Sequence, residues 1–188
     1  MKPLYKFYLM SSPILIMGIC IISDYRFNFT SSEAIGIWQI SALHNTLHHG
    51  DHILVCHRVI TPLLHSRCTP CLIKTVVGVP GDRISLESNG VFINQYLLPQ
   101  SKPYPTKQYF PLHHLTLSAN QYWVYGSHLP TLSLDSRYVG PISMTDVLAI
   151  AKPILIFPSI MDSTWKVNFK SFIQDNLVHY KNILVTLF

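Results

Sequence analysis

The stretch Leu72-Ile73-Lys74-Thr75-Val76-Val77-Gly78-Val79-Pro80-Gly81-Asp82-Arg83-Ile84-Ser85-Leu86 decides the fold. Leu72 to Val79 is a nearly continuous apolar run with one charge, Lys74, and Pro80-Gly81-Asp82 closes it. A run this short, rich in β-branched residues and ended by turn formers, reads as a buried strand. Arg83-Ile84-Ser85-Leu86, Gly90-Val91-Phe92-Ile93 and Gln95 to Leu98 continue it as a meander, with turns at Ser88-Asn89-Gly90 and Asn94-Gln95. Upstream, Gly50-Asp51 introduces a strand at Ile53-Leu54-Val55-Cys56, after a polar link over Ser23 to Asn28. Downstream, Tyr122 to Tyr125 and Val147 to Lys152 complete the set. Ten or so short strands without a long helical period predict a mainly β domain of folded antiparallel sheets, not βαβ units.

Composition agrees. Apolar residues make up 48% of the 188 and charged residues 12%, enough to build a core and too apolar for a disordered chain. Thirteen prolines against eight glycines favour strands and turns over helices. The formal charge of +5 comes from fourteen scattered basic residues. With no basic stripe or patch, nucleic acid is not an expected partner, and a mildly basic protein beside anionic lipid is the simpler account.

The N-terminus sets the expected compartment. After Lys2 and Lys6, Phe7 to Ile22 is uncharged and almost wholly apolar, ending before Asp24 and Arg26. As a helix it rises roughly 24 Å, a little short of a ~30 Å hydrocarbon core, with Lys6 able to snorkel at one end. The small-x-small pattern of a cleaved signal is missing around Ile21 to Tyr25. Ile19 also stands before Cys20 where a lipoprotein needs a small residue. Lysines ahead of the span place the N-terminus in the cytoplasm, so a single-pass inner-membrane protein with a periplasmic domain is expected. From Pro158 the spacing of Trp165, Phe169, Phe172, Ile173, Leu177, Ile183 and Leu184 suggests a C-terminal amphipathic helix.

A lone lysine in an apolar strand is the main chemical signal. Desolvation disfavours the ammonium, and a neutral amine can take the proton of a serine hydroxyl. The bland alternative is an edge strand with Lys74 in water. A serine just outside the anchor is the matching nucleophile, and Asn28-Phe29-Thr30-Ser31-Ser32-Glu33-Ala34-Ile35-Gly36-Ile37-Trp38 supplies one. Ser/Thr-rich connections are usually only turns or caps.

Together these segments resemble signal peptidase I, and within it the conjugative-transfer (TraF-like) branch. Thr30-x-Ser32 followed by Gly36 and Trp38 resembles the nucleophile segment, and Gly50-Asp51-His52-Ile53-Leu54-Val55 the Gly-Asp strand motif. Lys74 to Asp82 is similar to the lysine box, and Gly90-Val91-Phe92-Ile93-Asn94 to the hairpin after it. Ser133-Leu134-Asp135-Ser136-Arg137-Tyr138-Val139-Gly140-Pro141 is similar to the closing box. The five segments stand in the family's order over residues 28 to 152.

The resemblance implies a signal-peptidase-like catalytic domain at 26–157, between a tip and anchor at 1–25 and an appendage at 158–188. It implies Ser32 as nucleophile and Lys74 as general base. The Ser32 N–H and Thr30 hydroxyl would form the oxyanion hole, and Ser133 would orient Lys74. Asp135 and Arg137 would pair to support the closing loop, with a more direct role for Asp135 open in this branch. The expected reaction is serine endopeptidase cleavage of a membrane-delivered precursor, without cofactor or metal. The pilin of a conjugative type IV secretion system is the expected substrate, cut and in some systems joined end to end. Membrane lipid and components of that system are the expected partners. A general signal peptidase and an inactive scaffold are the alternatives. Glu33-Ala34 departs from the family's usual Met or Val then Pro, and puts a charge where substrate or membrane contact is expected. Gly126-Ser127-His128 replaces the Gly-Asp-Asn of general signal peptidase I, which favours the conjugative branch.

Outside the membrane, Cys56 is expected to pair with Cys68 or Cys71. His44, His48, His49 and His52 lack a carboxylate framework for metal and read as a solvated polar loop.

Overall fold

The structure, a computed structural model, describes residues 24–43, 45–56, 71–102, 110–111 and 114–157. The expected anchor (7–22), the C-terminal appendage, Cys68 and His44 lie outside the described residues.

Eleven strands occur among the described residues, in two antiparallel sheets. β1 (Tyr25–Asn28) and β2 (Gly36–Ser41) flank the Ser/Thr-rich loop, β3 is His52–Val55, and β4 is Leu72–Gly78. The meander is β5 (Arg83–Glu87), β6 (Gly90–Ile93) and β7 (Tyr96–Leu97), joined by β8 (His114–Thr116). Then come β9 (Gln121–Tyr125), β10 (Ile142–Ser143) and β11 (Val147–Ile156). The large sheet runs β1-β2-β11-β3-β4-β9-β10, and the small one β7-β6-β5-β8. Mainly β architecture is thus as expected. The stretch expected to be a polar link holds a strand instead: Tyr25 to Asn28 pair with Gln39 to Gly36. Local polarity hid it, because one edge strand needs only backbone bonds to its neighbour.

β4 lies between β3 and β9, and all seven of its residues are buried. The solvated edge-strand alternative for Lys74 therefore fails. Pairing fixes which way each residue points: Ile53 stands opposite Lys74, and His52 opposite Thr75. Paired residues share a face and successive residues alternate, so Lys74 and Thr75 look out from opposite faces of the sheet. Ile53, Val76, Val124 and Val147 pack on one face, and Trp38, Leu54, Ile73 and Ala151 on the other. A third cluster, with Val77, Ile84, Ile93, Leu98 and Trp123, joins the small sheet to the large one. The turn before β7 places Asn94 at φ 49° and Gln95 at φ 78°, the left-handed pair of a tight hairpin.

Val55 pairs with Leu72, so the next residue outward on each strand, Cys56 and Cys71, must meet. They form a disulfide with Cα atoms 4.3 Å apart. Register, which cysteine spacing does not reveal, selects Cys71 as the partner.

Candidate active site

Asn28, at the end of β1, organises the loop that carries Ser32. Its Oδ1 accepts from the Thr30 N–H (3.1 Å) and the Thr30 hydroxyl (2.7 Å). Its amide nitrogen faces the carbonyls of Thr30, Glu33 and Ala34 at 3.0 to 3.1 Å. One buried side chain thus satisfies the turn from within, as Asn commonly does in tight connections. Ser32 is buried, with its hydroxyl 3.3 Å from that of exposed Thr30. The Ser32 carbonyl accepts from the His128 N–H at 3.0 Å.

Lys74 is fully buried and donates to Ser133 Oγ at 2.8 Å. Ser133 in turn hydrogen-bonds the Asp135 carboxylate. Asp135 caps a one-turn helix, α1 (Ser136–Val139), by accepting from the Arg137 N–H. It also accepts from Arg137 Nε (2.8 Å) and Nη2 (2.9 Å), and from the Gly126 N–H (3.1 Å). Burial by itself would raise the Asp135 pKa. Arg137's charge and hydrogen bonds, the Lys74 charge and the Ser133 bond outweigh it, so the carboxyl sits below the ordinary aspartate value. Arg137 is buried as well, which disfavours its charge, but Asp135 more than restores it and the pKa rises. The guanidinium also bonds the Pro130 carbonyl and lies 4.8 Å from the Tyr125 ring centre. These bonds tie the closing loop to Gly126 and Pro130 and satisfy both buried charges.

Gly126 joins the two halves. A Cβ there would lie within 3.0 Å of both Ser133 Oγ and Ser133 Cβ, and 3.1 Å from Ser32 Cβ. Ser32, Ser133 and, through Ser133, Lys74 converge over this bare Cα. Thr30, Ser32, Lys74, Ser133, Asp135 and Arg137 accordingly fall in one region.

Three sequence readings change. Glu33 does not face substrate or membrane: it is 1% exposed and turned inward. Its Oε1 accepts from Thr75 Oγ1 (2.8 Å) and the Ser127 N–H (3.0 Å), and its Oε2 from Ser127 Oγ (2.6 Å). Enough donors gather there to make a buried carboxylate tolerable. The three described histidines of the cluster do not share a solvated environment. Exposed His48 lies beside Asp51, whereas buried His49 contacts Asp82 at 2.7 Å and half-buried His52 contacts Thr75 at 3.0 Å. Finally, Gly126-Ser127-His128, read from the resemblance only as a pointer to the conjugative branch, also supplies the floor of the site and anchors for both Ser32 and Glu33.

Among the described residues, then, an all-antiparallel fold buries a lysine bonded to Ser133 and sets a second buried serine, Ser32, across Gly126 from it. The chain belongs to the signal peptidase family, peptidase S26, which matches residues 7–156. It is 30% identical to the conjugal transfer protein TraF of Agrobacterium tumefaciens (strain 15955), over 76% of this chain and 88% of that one. It is 22% identical to the plasmid transfer protein TraF of Escherichia coli, over 76% of this chain and 89% of that one. A solved signal peptidase I from Enterococcus faecalis V583 superposes with a TM-score of 0.37 at 21% identity, covering 58% of this chain and 98% of that one. At that score the membership rests on the family and sequence matches alone.

Proposed function

We propose that this protein is a membrane-anchored serine endopeptidase that cleaves a precursor at the membrane in a conjugative-transfer system, with the pilin as its precursor. The observation that carries the reading is the convergence of Ser32, Ser133 and Lys74 over Gly126, with Lys74 bonded to Ser133 in a fully buried site.

In this reading the Lys74 ammonium first gives up a proton to solvent, and Ser32 Oγ then attacks the scissile carbonyl while its own proton passes to the Lys74 amine. The oxyanion is met by the Ser32 N–H and by the Thr30 hydroxyl, which must turn from Asn28 to reach it. Collapse of the intermediate breaks the C–N bond, and Lys74 gives the proton to the leaving amine. The acyl-enzyme is then released by water, or by an amine, which would join two peptide ends. Ser133, held by Asp135, keeps Lys74 aimed, and the Asp135–Arg137 pair holds the loop on which Ser133 stands.

The conjugative setting is supported by the TraF relatives, and the anchor by the uncharged, almost wholly apolar run from Phe7 to Ile22. Close to the Ser32 loop, exposed Phe27, Phe29 and Phe157 cluster with ring centres 4.1 and 5.7 Å apart. Aromatic rings left in water beside a site that receives membrane-borne precursors suit contact with the lipid interface. Ser32→Ala and Lys74→Ala should each abolish precursor processing while membrane location and expression persist. The double variant should be no worse than either single, because the two act as one unit. Ser31→Ala should remain active. Retained processing in Ser32→Ala, with loss in Ser31→Ala, would overturn the assignment.

A further inference from the structure

Glu33 directly follows Ser32, and Thr75 directly follows Lys74. In each pair, one member belongs to the reacting set and the other does not. Strand pairing puts Lys74 and Thr75 on opposite faces of β4. The hydrogen bonds show the same split on the loop: Glu33 reaches Thr75 at 2.8 Å, while Ser32 lies against Gly126 on the Ser133 side. The Glu33–Thr75 bond therefore fixes how far the nucleophile loop has slid along the base strand. A second attachment adds the third part of the site. Glu33 holds the N–H and hydroxyl of Ser127, and His128 N–H holds the carbonyl of Ser32. Ser127 and His128 follow Gly126, the floor beneath Ser32 and Ser133. His52, 4.0 Å from Glu33 Oε2 and hydrogen-bonded to Thr75, closes the network on the side away from Lys74.

We infer that Glu33 is a positioning residue for the serine–lysine reaction: its buried carboxylate clamps the Ser32 loop, the Lys74 strand and the Gly126–His128 segment in the one register at which Ser32 and Lys74 can exchange a proton. This rests on Ser32 and Lys74 acting as proposed above. Polar anchoring of this kind holds the loop by bonds of defined direction. Packing alone leaves a loop freer to slide, and misplacing a reacting group by about 1 Å can cost about a hundredfold in rate.

The test uses the full-length protein in detergent micelles with a fluorogenic peptide carrying an Ala-x-Ala site. Should wild type fail to cleave it, or Ser32→Ala cleave it equally well, the proposed function falls rather than the role of Glu33. With that baseline met, Glu33→Ala should lower kcat about a hundredfold and Thr75→Val about tenfold, with KM changed by less than about threefold. The double variant should be no slower than Glu33→Ala, because both remove the same bond. Glu33→Gln, which retains an acceptor for Thr75, should recover much of the loss. A loss confined to KM, additive losses, or a kcat within about twofold of wild type in Glu33→Ala would each overturn the inference. If Glu33→Ala does not fold, Thr75→Val, nearly the same shape, decides alone: unchanged kcat refutes the clamp.

Discussion

Replacing Gly126 by alanine adds one methyl group at the point where the halves of the site meet. That carbon would stand closer than 3.0 Å to Ser133 Oγ and Cβ, and 3.1 Å from Ser32 Cβ. Carbon contacts settle at about 3.5 to 4.0 Å, so either the Ser133 loop or Gly126, just after β9, must retreat by about 1 Å. Neither is free. Ser133 is bonded to buried Lys74, and Gly126 N–H is bonded to Asp135. Overpacking of this kind costs about 1 to 3 kcal/mol of stability, a fall of about 3 to 10 °C in Tm for a chain of this size. The same displacement at the reacting groups should lower kcat by about a hundredfold. Gly81→Ala is the control. Its φ of +93° makes alanine strained there too, but no atom lies within 4 Å of the added carbon, so it should lose stability and keep kcat. Thermal melts and steady-state cleavage of the same peptide measure both quantities. Wild-type kcat in Gly126→Ala, or equal kcat losses in the two variants, would refute the argument that Ser32 and Ser133 share this contact.

Two further outcomes concern stability. Asp135 has a folded pKa below its unfolded value of about 3.9, so its contribution is present above that pH and is lost as pH falls through the folded value. Wild type should therefore show an acid-side fall in Tm below about pH 4 that flattens in Asp135→Asn; an identical acid slope in both would remove Asp135 from the account. Reducing the Cys56–Cys71 bond, which closes a loop of sequence separation 15, should lower stability by about 3 kcal/mol, read as a Tm shift on adding reductant. A Cys56→Ser variant that melts with the wild type under oxidising conditions would contradict this.

What the chain alone determined was local. The apolar run around Lys74, the turn formers at Pro80-Gly81-Asp82 and Asn94-Gln95, and the alternation in β5 and β6 depend on neighbours in sequence, so strands and hairpins were readable. The Asp135–Arg137 pair came from the resemblance of the closing box, and its members, two residues apart, do bond each other. The order of the boxes likewise brought Ser32, Lys74 and Ser133 under suspicion before any geometry. Tertiary structure decided which way each side chain points once distant segments meet. Glu33 reads as a surface charge because acidic residues are rarely buried unpaired, yet its partners lie 42 and 94 residues away. His49 looks like one of a polar cluster, but its partner Asp82 is 33 residues on. Cys71 rather than Cys68 meets Cys56 because Val55 pairs with Leu72. Spacing along the chain carries no information about such register. A one-residue slip would turn every side chain of a strand to the other face, and only the packed sheets, burying Ile53 and Val76 on one side and Trp38 and Ile73 on the other, forbid it.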